Sequence, residues 1–215
     1  MPAYDATTAL VVVDVQNDFA SPQGSLYVGG GEQVVPLINA EIAAARAAGA
    51  KVFHTQDWHP PSTPHFEKDG GIWPVHCVAD TTGAELHPEL HVAGPVVRKG
   101  TAGEDGYSGF SMRDADGKTV PTALDGLLRD AGIERLVVVG LATDYCVKET
   151  GLDARRLGYP TTLLAAAVRS VDLVDGDGQR AIDELVAAGV DIETEKQAAP
   201  RRQRKPERTR LDRDE

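Results

Sequence analysis

The stretch Arg135-Leu-Val-Val-Val-Gly-Leu141 is typical of a strand buried on both faces of a sheet, because no polar side chain follows Arg135. A second run of this kind, Ala9-Leu-Val-Val-Val-Asp14, lies near the start of the sequence. Strands that are apolar on both faces occur in parallel sheets, where the connecting helices cover both sides. The two runs therefore favour an α/β fold.

Further strands and helices alternate around these two runs. Strand patterns also occur at 51–56, 95–99, 161–165 and 190–193, and helix patterns at 34–48, 122–131, 144–157 and 179–188. Repeated strand–helix–strand units imply parallel pairing with right-handed crossovers. The sequence therefore predicts a three-layer α/β/α sandwich around a six-stranded, mainly parallel sheet.

The composition limits the classes of protein that this chain can represent. A formal charge of -11 at pH 7 argues against nucleic acid as the main partner, because phosphate binding needs a basic surface. No apolar run approaches the roughly 18 residues of a membrane span, and no secretory signal is visible. Two cysteines in 215 residues indicate a reducing compartment, so we expect a soluble, cytoplasmic protein. The oligomeric state is left open.

The last residues differ in composition from the rest of the chain. Residues 198–215 contain seven Lys or Arg residues and one large apolar residue, Leu211. Such a segment has too little apolar surface to order itself. We therefore expect a single domain over residues 1–197, followed by a disordered basic tail.

Candidate catalytic residues follow the predicted strands. Asp14 follows the first strand, Lys99 ends the third, and Cys146 begins the helix after the fourth. Ligands of parallel sheets bind outside the carboxyl ends of the strands, where these residues would meet. A helix N-terminus lowers a thiol pKa, so Cys146 is a candidate nucleophile, with Asp14 as base and Lys99 holding anions. A buried structural cysteine is the alternative for Cys146, and is what we expect for Cys77.

The irregular segment 57–94 holds five of the six histidines and both tryptophans. Carboxylate oxygens and imidazole nitrogens suit Zn, Mn or Fe(II), and a set without cysteine favours an open site. A proline-rich loop with surface histidines is the alternative, and His87 and His91 are expected at the surface. The candidate metal ligands are Asp57, His59, His65 and His76.

With these motifs the sequence resembles the nicotinamidase branch of the isochorismatase-like cysteine hydrolases. The matching blocks lie at 12–19, 55–59, 73–77, 99–100, 107–110 and 140–147, in the order found in that family. The resemblance implies that Asp14, Lys99 and Cys146 form a catalytic triad and that Asp57, His59, His65 and His76 bind one divalent metal, with Zn favoured over Mn or Fe. It further implies a substrate pocket formed by Phe19, Trp73 and Tyr107, a cis Leu141–Ala142 bond, and an oxyanion hole at the Ala142 and Cys146 amides.

The activity that the resemblance implies is hydrolysis of nicotinamide to nicotinic acid and ammonia in NAD salvage, with pyrazinamide as a further substrate. Isochorismatases and carbamoylsarcosine-type amidases lack the Asp–His–His–His set, which favours the nicotinamidase branch. The alternatives are a cysteine amidase for a carbamoyl or ureido substrate, a non-catalytic redox or ligand sensor, and a scaffold protein acting through the basic tail. The segment 100–106 departs from the family pattern by its acidity and by lacking an aromatic residue, which would affect substrate choice.

Overall fold

Six parallel strands form the central sheet in the computed structural model, which describes residues 4–194. The strand order in the sheet is β3-β2-β1-β6-β7-β8, and β4 pairs with β5 in a separate antiparallel hairpin. The strands are β1 (Thr8–Val13), β2 (Lys51–Asp57), β3 (Val96–Lys99), β4 (Ser111–Arg113), β5 (Thr119–Pro121), β6 (Arg135–Leu141), β7 (Thr161–Arg169) and β8 (Asp191–Glu193).

Helices cover both faces of this sheet. They are α1 (Asn17–Ala20), α2 (Gly31–Ala47), α3 (Leu124–Asp130), α4 (Lys148–Arg156) and α5 (Asp177–Ala187), and a π-helical turn at Thr143–Val147 leads into α4. Short 3-10 turns lie at Glu67–Asp69 and Thr82–Ala84. Among residues 4–194 no helix is long and apolar enough to cross a membrane.

The two helix layers explain why β1 is apolar at every position. Leu10 and Val12 belong to a core shared with α2 through Ile38. Val11 belongs to a core shared with α3 through Leu128 and with α5 through Leu185. Successive side chains of a strand point to opposite faces, so a strand covered on both sides needs no polar position. The predicted α/β/α sandwich with a six-stranded parallel sheet is confirmed.

Three local expectations need correction. Cys146 does not begin an α-helix but lies inside the π-helical turn, because apolar spacing does not separate π from α hydrogen bonding. β7 continues to Arg169, with an irregular register against Val138 and Gly140. The sequence patterns miss the hairpin and α1, since strands of three residues and a helix of four are too short to show a period. The tail predicted at 198–215 lies outside the described residues.

Candidate active site

Three parallel strands bring the predicted catalytic residues to one edge of the sheet. Asp14 directly follows β1, Asp57 ends β2, and Lys99 ends β3, where it is paired in register with Asp57. The Lys99 Nζ lies 3.0 Å from Asp14 Oδ2 and 3.6 Å from Cys146 Sγ, and it donates a hydrogen bond to Asp57 Oδ1. All four side chains are buried. The structure therefore brings the predicted triad together, with Asp57 as an additional neighbour.

Burial and mutual contact decide the charges in this cluster. Burial raises the pKa of Asp14 to about 6, although Lys99 opposes the rise. Burial would also raise the pKa of Asp57, but the nearby Lys99 and histidines outweigh it and lower the value to about 2. For Lys99, burial favours the neutral amine, yet the two carboxylates raise its pKa well above the usual value. Lys99 is therefore a firmly charged ammonium between two acids of different strength.

The expectation that the Cys146 pKa is lowered is wrong. Burial raises the pKa of this thiol well above its usual value, and the opposing effect of Lys99 is smaller. Helix position alone suggests a thiolate, but a thiol as buried as this one loses most of the hydration that would stabilise its anion. Cys146 is therefore a protonated thiol at neutral pH and needs a base to become a nucleophile.

Asp14 is held in place by a residue that the sequence analysis missed. The Thr55 Oγ1 donates a 2.6 Å hydrogen bond to Asp14 Oδ1, and both side chains are buried. Asp14 also has a φ of 49°, in the left-handed region that non-glycine residues seldom adopt. This contact could not be predicted from the position of Thr55 in the sequence, because the contact depends on how β1 and β2 pair.

Three of the four predicted metal ligands form a tight cluster. One ring nitrogen each of His59, His65 and His76 lies within 4.8 Å of the others. Asp57 borders this cluster, because its Oδ1 lies 3.9 Å from His59 Nε2. Burial lowers the pKa of His59 to about 4 and also lowers that of His76, so these rings are neutral at physiological pH. Neutral imidazole is the form that binds metal ions.

The hydrogen bonds of the three rings test whether a metal ion fits. His65 Nδ1 is 2.7 Å from Asp105 Oδ1, and His76 Nδ1 is 2.7 Å from the Pro74 carbonyl oxygen. These contacts leave Nε2 of both rings free. Within residues 4–194, neither ring nitrogen of the fully buried His59 has a hydrogen-bond partner. An unpaired polar atom is costly in a protein interior, and a divalent cation would pair one of these two nitrogens, so the residues fit a metal.

A narrow cleft joins the thiol to the histidine cluster. Three aromatic residues form one wall of this cleft and contact each other. Trp73 Nε1 donates a 3.0 Å hydrogen bond to the Tyr107 hydroxyl, and both rings contact Tyr145. Tyr145 was missed, although it directly precedes the predicted nucleophile. The residues lining the cleft are Phe19, Leu26, Val28, Asp57, His65, Trp73, His76, Tyr107, Ala142, Tyr145, Cys146 and Val171. They include all three predicted pocket residues, Phe19, Trp73 and Tyr107.

The loop after β6 brings Ala142 beside Cys146 in the wall of the cleft. The Leu141–Ala142 peptide bond is cis, as the resemblance implied. The Ala142 carbonyl oxygen accepts hydrogen bonds from the amides of Tyr145 and Val147, both at 3.1 Å, which closes the π-helical turn around Cys146. The role of the Ala142 and Cys146 amides as an oxyanion hole stays a prediction.

The remaining candidates lie away from the cleft. Cys77 is a free, fully buried cysteine whose amide donates to Asp18, in agreement with a structural role. His91 is exposed and His87 is partly exposed, so the expectation that both lie at the surface is confirmed.

A thiol, a carboxylate and an ammonium thus lie together at the carboxyl edge of a parallel sheet, which is the arrangement expected of a cysteine hydrolase. Comparison with protein families agrees, since residues 8–197 match the family described as the Isochorismatase domain. The chain belongs to the isochorismatase family.

Relatives within the family are more specific. The nicotinamidase of Escherichia coli (strain K12) is 38% identical over 204 residues, which cover 86% of this chain and 94% of that protein. PnC1 from L. infantum, solved in complex with nicotinate, has a TM-score of 0.81 at 38% identity and covers 90% of this chain and 96% of its own. The pyrazinamidase of Pyrococcus horikoshii, solved in complex with zinc, has a TM-score of 0.78 at 36% identity over 87% and 99% of the two chains. The nicotinamidase branch indicated by the motifs is thus confirmed.

Proposed function

We propose that this chain is a metal-dependent nicotinamidase, which hydrolyses nicotinamide to nicotinic acid and ammonia, and also hydrolyses pyrazinamide, within NAD salvage in the cytoplasm. One observation carries the proposal: Cys146 and two of the clustered histidines, His65 and His76, line the same narrow cleft. A flat substrate with a carboxamide at one end and a ring nitrogen at the other can face both groups at once. Positioning of this kind can lower the activation free energy of a reaction by several kcal/mol.

The chemistry begins with Asp14, because the Cys146 thiol is protonated at rest. Asp14 accepts the Sγ proton, and the resulting thiolate attacks the carboxamide carbon while Lys99 offsets the negative charge. The Ala142 and Cys146 amides donate to the oxyanion. As the C–N bond breaks, Asp14 returns the proton to the departing ammonia, and a thioester remains.

The second half of the reaction restores the enzyme. Asp14, again a carboxylate, takes a proton from a water molecule, and the hydroxide attacks the thioester carbon. The C–S bond breaks, nicotinic acid leaves, and Asp14 gives its proton back to the Cys146 sulfur. One base with a pKa near neutrality serves both halves, which agrees with the value of about 6 for Asp14.

The metal site of the proposal consists of His59, His65, His76 and Asp57, with Zn²⁺ favoured and Mn²⁺ or Fe²⁺ compatible with the same donors. A bound divalent ion supplies a Lewis-acid position for the ring nitrogen of the substrate. Asp57 would share its carboxylate between this site and Lys99, to which it is hydrogen bonded. The same carboxylate thus joins the metal site to the catalytic cluster.

The test compares two amides that differ in one atom. Nicotinamide and benzamide have the same shape, but benzamide lacks the ring nitrogen. We expect kcat/KM for benzamide to be lower by about 10²–10³-fold in ammonia-release assays with zinc content measured on the same sample. Equal rates would show that the histidine cluster has no part in recognition, and the amidase for a carbamoyl or ureido substrate, assayed in parallel, would take its place. No ammonia from any amide would support the sensor instead.

A further inference from the structure

One ligand histidine has a charged partner that lies outside the cleft of the proposed active site. His65 is buried, and its Nδ1 is 2.7 Å from Asp105 Oδ1, whereas the Asp105 side chain is 54% exposed. His76 has a neutral partner at the same ring atom, the Pro74 carbonyl oxygen. Asp105 is therefore the carboxylate that contacts the histidine cluster from the solvent side.

The position of Asp105 is fixed by backbone contacts. Its amide donates to the Arg113 carbonyl oxygen at 2.8 Å, and the Arg113 amide donates back to the Asp105 carbonyl oxygen at 2.6 Å. Arg113 is the last residue of β4, so the β4–β5 hairpin holds this residue of the acidic segment 100–106. The Asp105 Oδ1 also accepts from the Gly106 amide at 2.8 Å, which restrains the carboxylate itself.

We infer that Asp105 is a positioning residue for the metal site, because its carboxylate holds the His65 proton on Nδ1 and so leaves Nε2 as the ligand atom. An ionised carboxylate only accepts hydrogen bonds, so the ring nitrogen facing it must carry the proton. A carboxylate partner also increases the basicity of the opposite ring nitrogen and fixes the orientation of the ring. The inference rests on the metal-binding part of the proposed function. It gives the acidic segment and its hairpin a role in metal affinity.

The adjacent residue offers a matched control. Glu104 lies in the same segment and carries the same charge, but its carboxylate accepts a hydrogen bond from the Ala102 amide and does not contact His65. Removing either acid changes the net charge of the segment equally. Only the removal of Asp105 takes away the acceptor of the His65 proton.

The experiment measures Zn²⁺ affinity of the full chain after the metal has been stripped with a chelator, by competition with a chromophoric chelator. We expect Asp105→Ala to raise the Zn²⁺ Kd by about 10–100-fold, as removal of such outer partners does. Glu104→Ala should stay within about twofold of the unchanged chain. Asp105→Asn keeps an acceptor oxygen without the charge, so its Kd should lie between these two. Melting temperatures of the metal-free variants, compared with Glu104→Ala, check that folding is unchanged.

A second measurement does not involve the metal. Nitrogen NMR shifts of the His65 ring in the metal-free chain should show the proton on Nδ1, and Asp105→Ala should move it toward Nε2. A Kd for Asp105→Ala within twofold of that for Glu104→Ala, or an unchanged His65 tautomer, would overturn the inference while leaving the proposed function in place. If the unchanged chain itself bound no Zn²⁺, the metal part of the proposed function would be wrong, and this inference with it.

Discussion

Lys99 places its Nζ 3.6 Å from the Sγ of Cys146, and the same Nζ lies 3.0 Å from the buried carboxylate of Asp14. An ammonium at this distance stabilises a thiolate once it has formed. It does not create the thiolate at rest, because burial raises the pKa of Cys146 by more than Lys99 lowers it. In the proposed mechanism, Lys99 therefore stabilises the thiolate after Asp14 has accepted its proton.

The first prediction separates the two cysteines. Cys146→Ala should lower kcat by more than about 10³-fold, because the nucleophile is lost. Cys77→Ala is the control, since Cys77 is also free and fully buried but does not line the cleft, and this variant should keep most of the activity. The measurement is ammonia release with circular dichroism on the same samples. If Cys146→Ala kept a tenth of the rate, the covalent mechanism would be wrong.

The second prediction concerns pH. Asp14 acts as base only when it is ionised, and burial raises its pKa to about 6. Therefore kcat/KM should be low below about pH 5 and should rise to a plateau above about pH 7. The titration of His59 does not contribute to this acid limb, because burial lowers the pKa of His59 to about 4 and the ring is neutral between about pH 5 and about pH 7. If kcat/KM did not fall between about pH 7 and about pH 5, Asp14 would not be the base.

A single substitution should move that limb. Thr55→Val keeps the shape of the side chain but removes the hydrogen bond to Asp14 Oδ1. A hydrogen bond to the charged form lowers the pKa of a carboxyl group, so its loss raises the pKa of Asp14. The acid limb should then move to higher pH, while kcat on the plateau changes less. A limb at the same pH would show that Thr55 does not control the base.

The sheet and the catalytic edge could be predicted because they depend on local patterns. Continuous apolar runs such as those of β1 and β6 indicate strands covered on both faces. The residues that follow parallel strands lie close together because the carboxyl ends of these strands share one edge of the sheet. The ends of the predicted parallel strands alone thus place Asp14, Lys99 and Cys146 at one edge of the sheet. The motif at 57–76 similarly marks the histidines that lie together in the structure.

The supporting contacts could not be predicted, because they depend on packing between distant segments. Thr55 lies in a matching block and Asp105 in the acidic segment 100–106, but neither position reveals its partner. Their hydrogen bonds to Asp14 and His65 follow from strand pairing and from the β4–β5 hairpin. The sequence predicts the pKa shift of Cys146 in the wrong direction for the same reason. Helix position is local, whereas the burial that dominates this thiol is set by the whole cleft.

The fourth prediction concerns the wall of the cleft. Asp144 is buried, and its two carboxylate oxygens accept hydrogen bonds from the Val171 amide at 3.0 Å and the Asp172 amide at 2.8 Å. Val171 lines the cleft, so Asp144→Ala should raise KM by up to about tenfold while kcat falls less, since a hydrogen bond contributes about 0.5–1.5 kcal/mol and about 1.4 kcal/mol is tenfold. Asp153→Ala is the control, because Asp153 bonds Ser111 and Arg156 instead. An equal loss in kcat and kcat/KM would place Asp144 in the chemistry rather than in the wall.

The last prediction uses two glycines of one loop. Gly100 and Gly103 both have positive φ, 75° and 84°, so an alanine at either position meets the same backbone cost of about 1–2 kcal/mol. Their surroundings differ. A Cβ on Gly100 would lie 2.7 Å from His59 Nδ1, whereas a Cβ on Gly103 would meet only Pro60 Cγ at 3.7 Å within the described residues.

His59 cannot move aside without cost, because its ring is fully buried among His65, Phe66 and His76. Gly100→Ala should therefore lower the melting temperature more than Gly103→Ala and should also weaken Zn²⁺ binding by displacing the His59 ring. Gly103→Ala should lower stability alone, with the Zn²⁺ Kd unchanged. Calorimetry and metal titration on both variants separate the two effects. Equal Zn²⁺ affinity in the two variants would mean that the ring tolerates the extra methyl group, and that the close approach of Gly100 to His59 does not position the metal site.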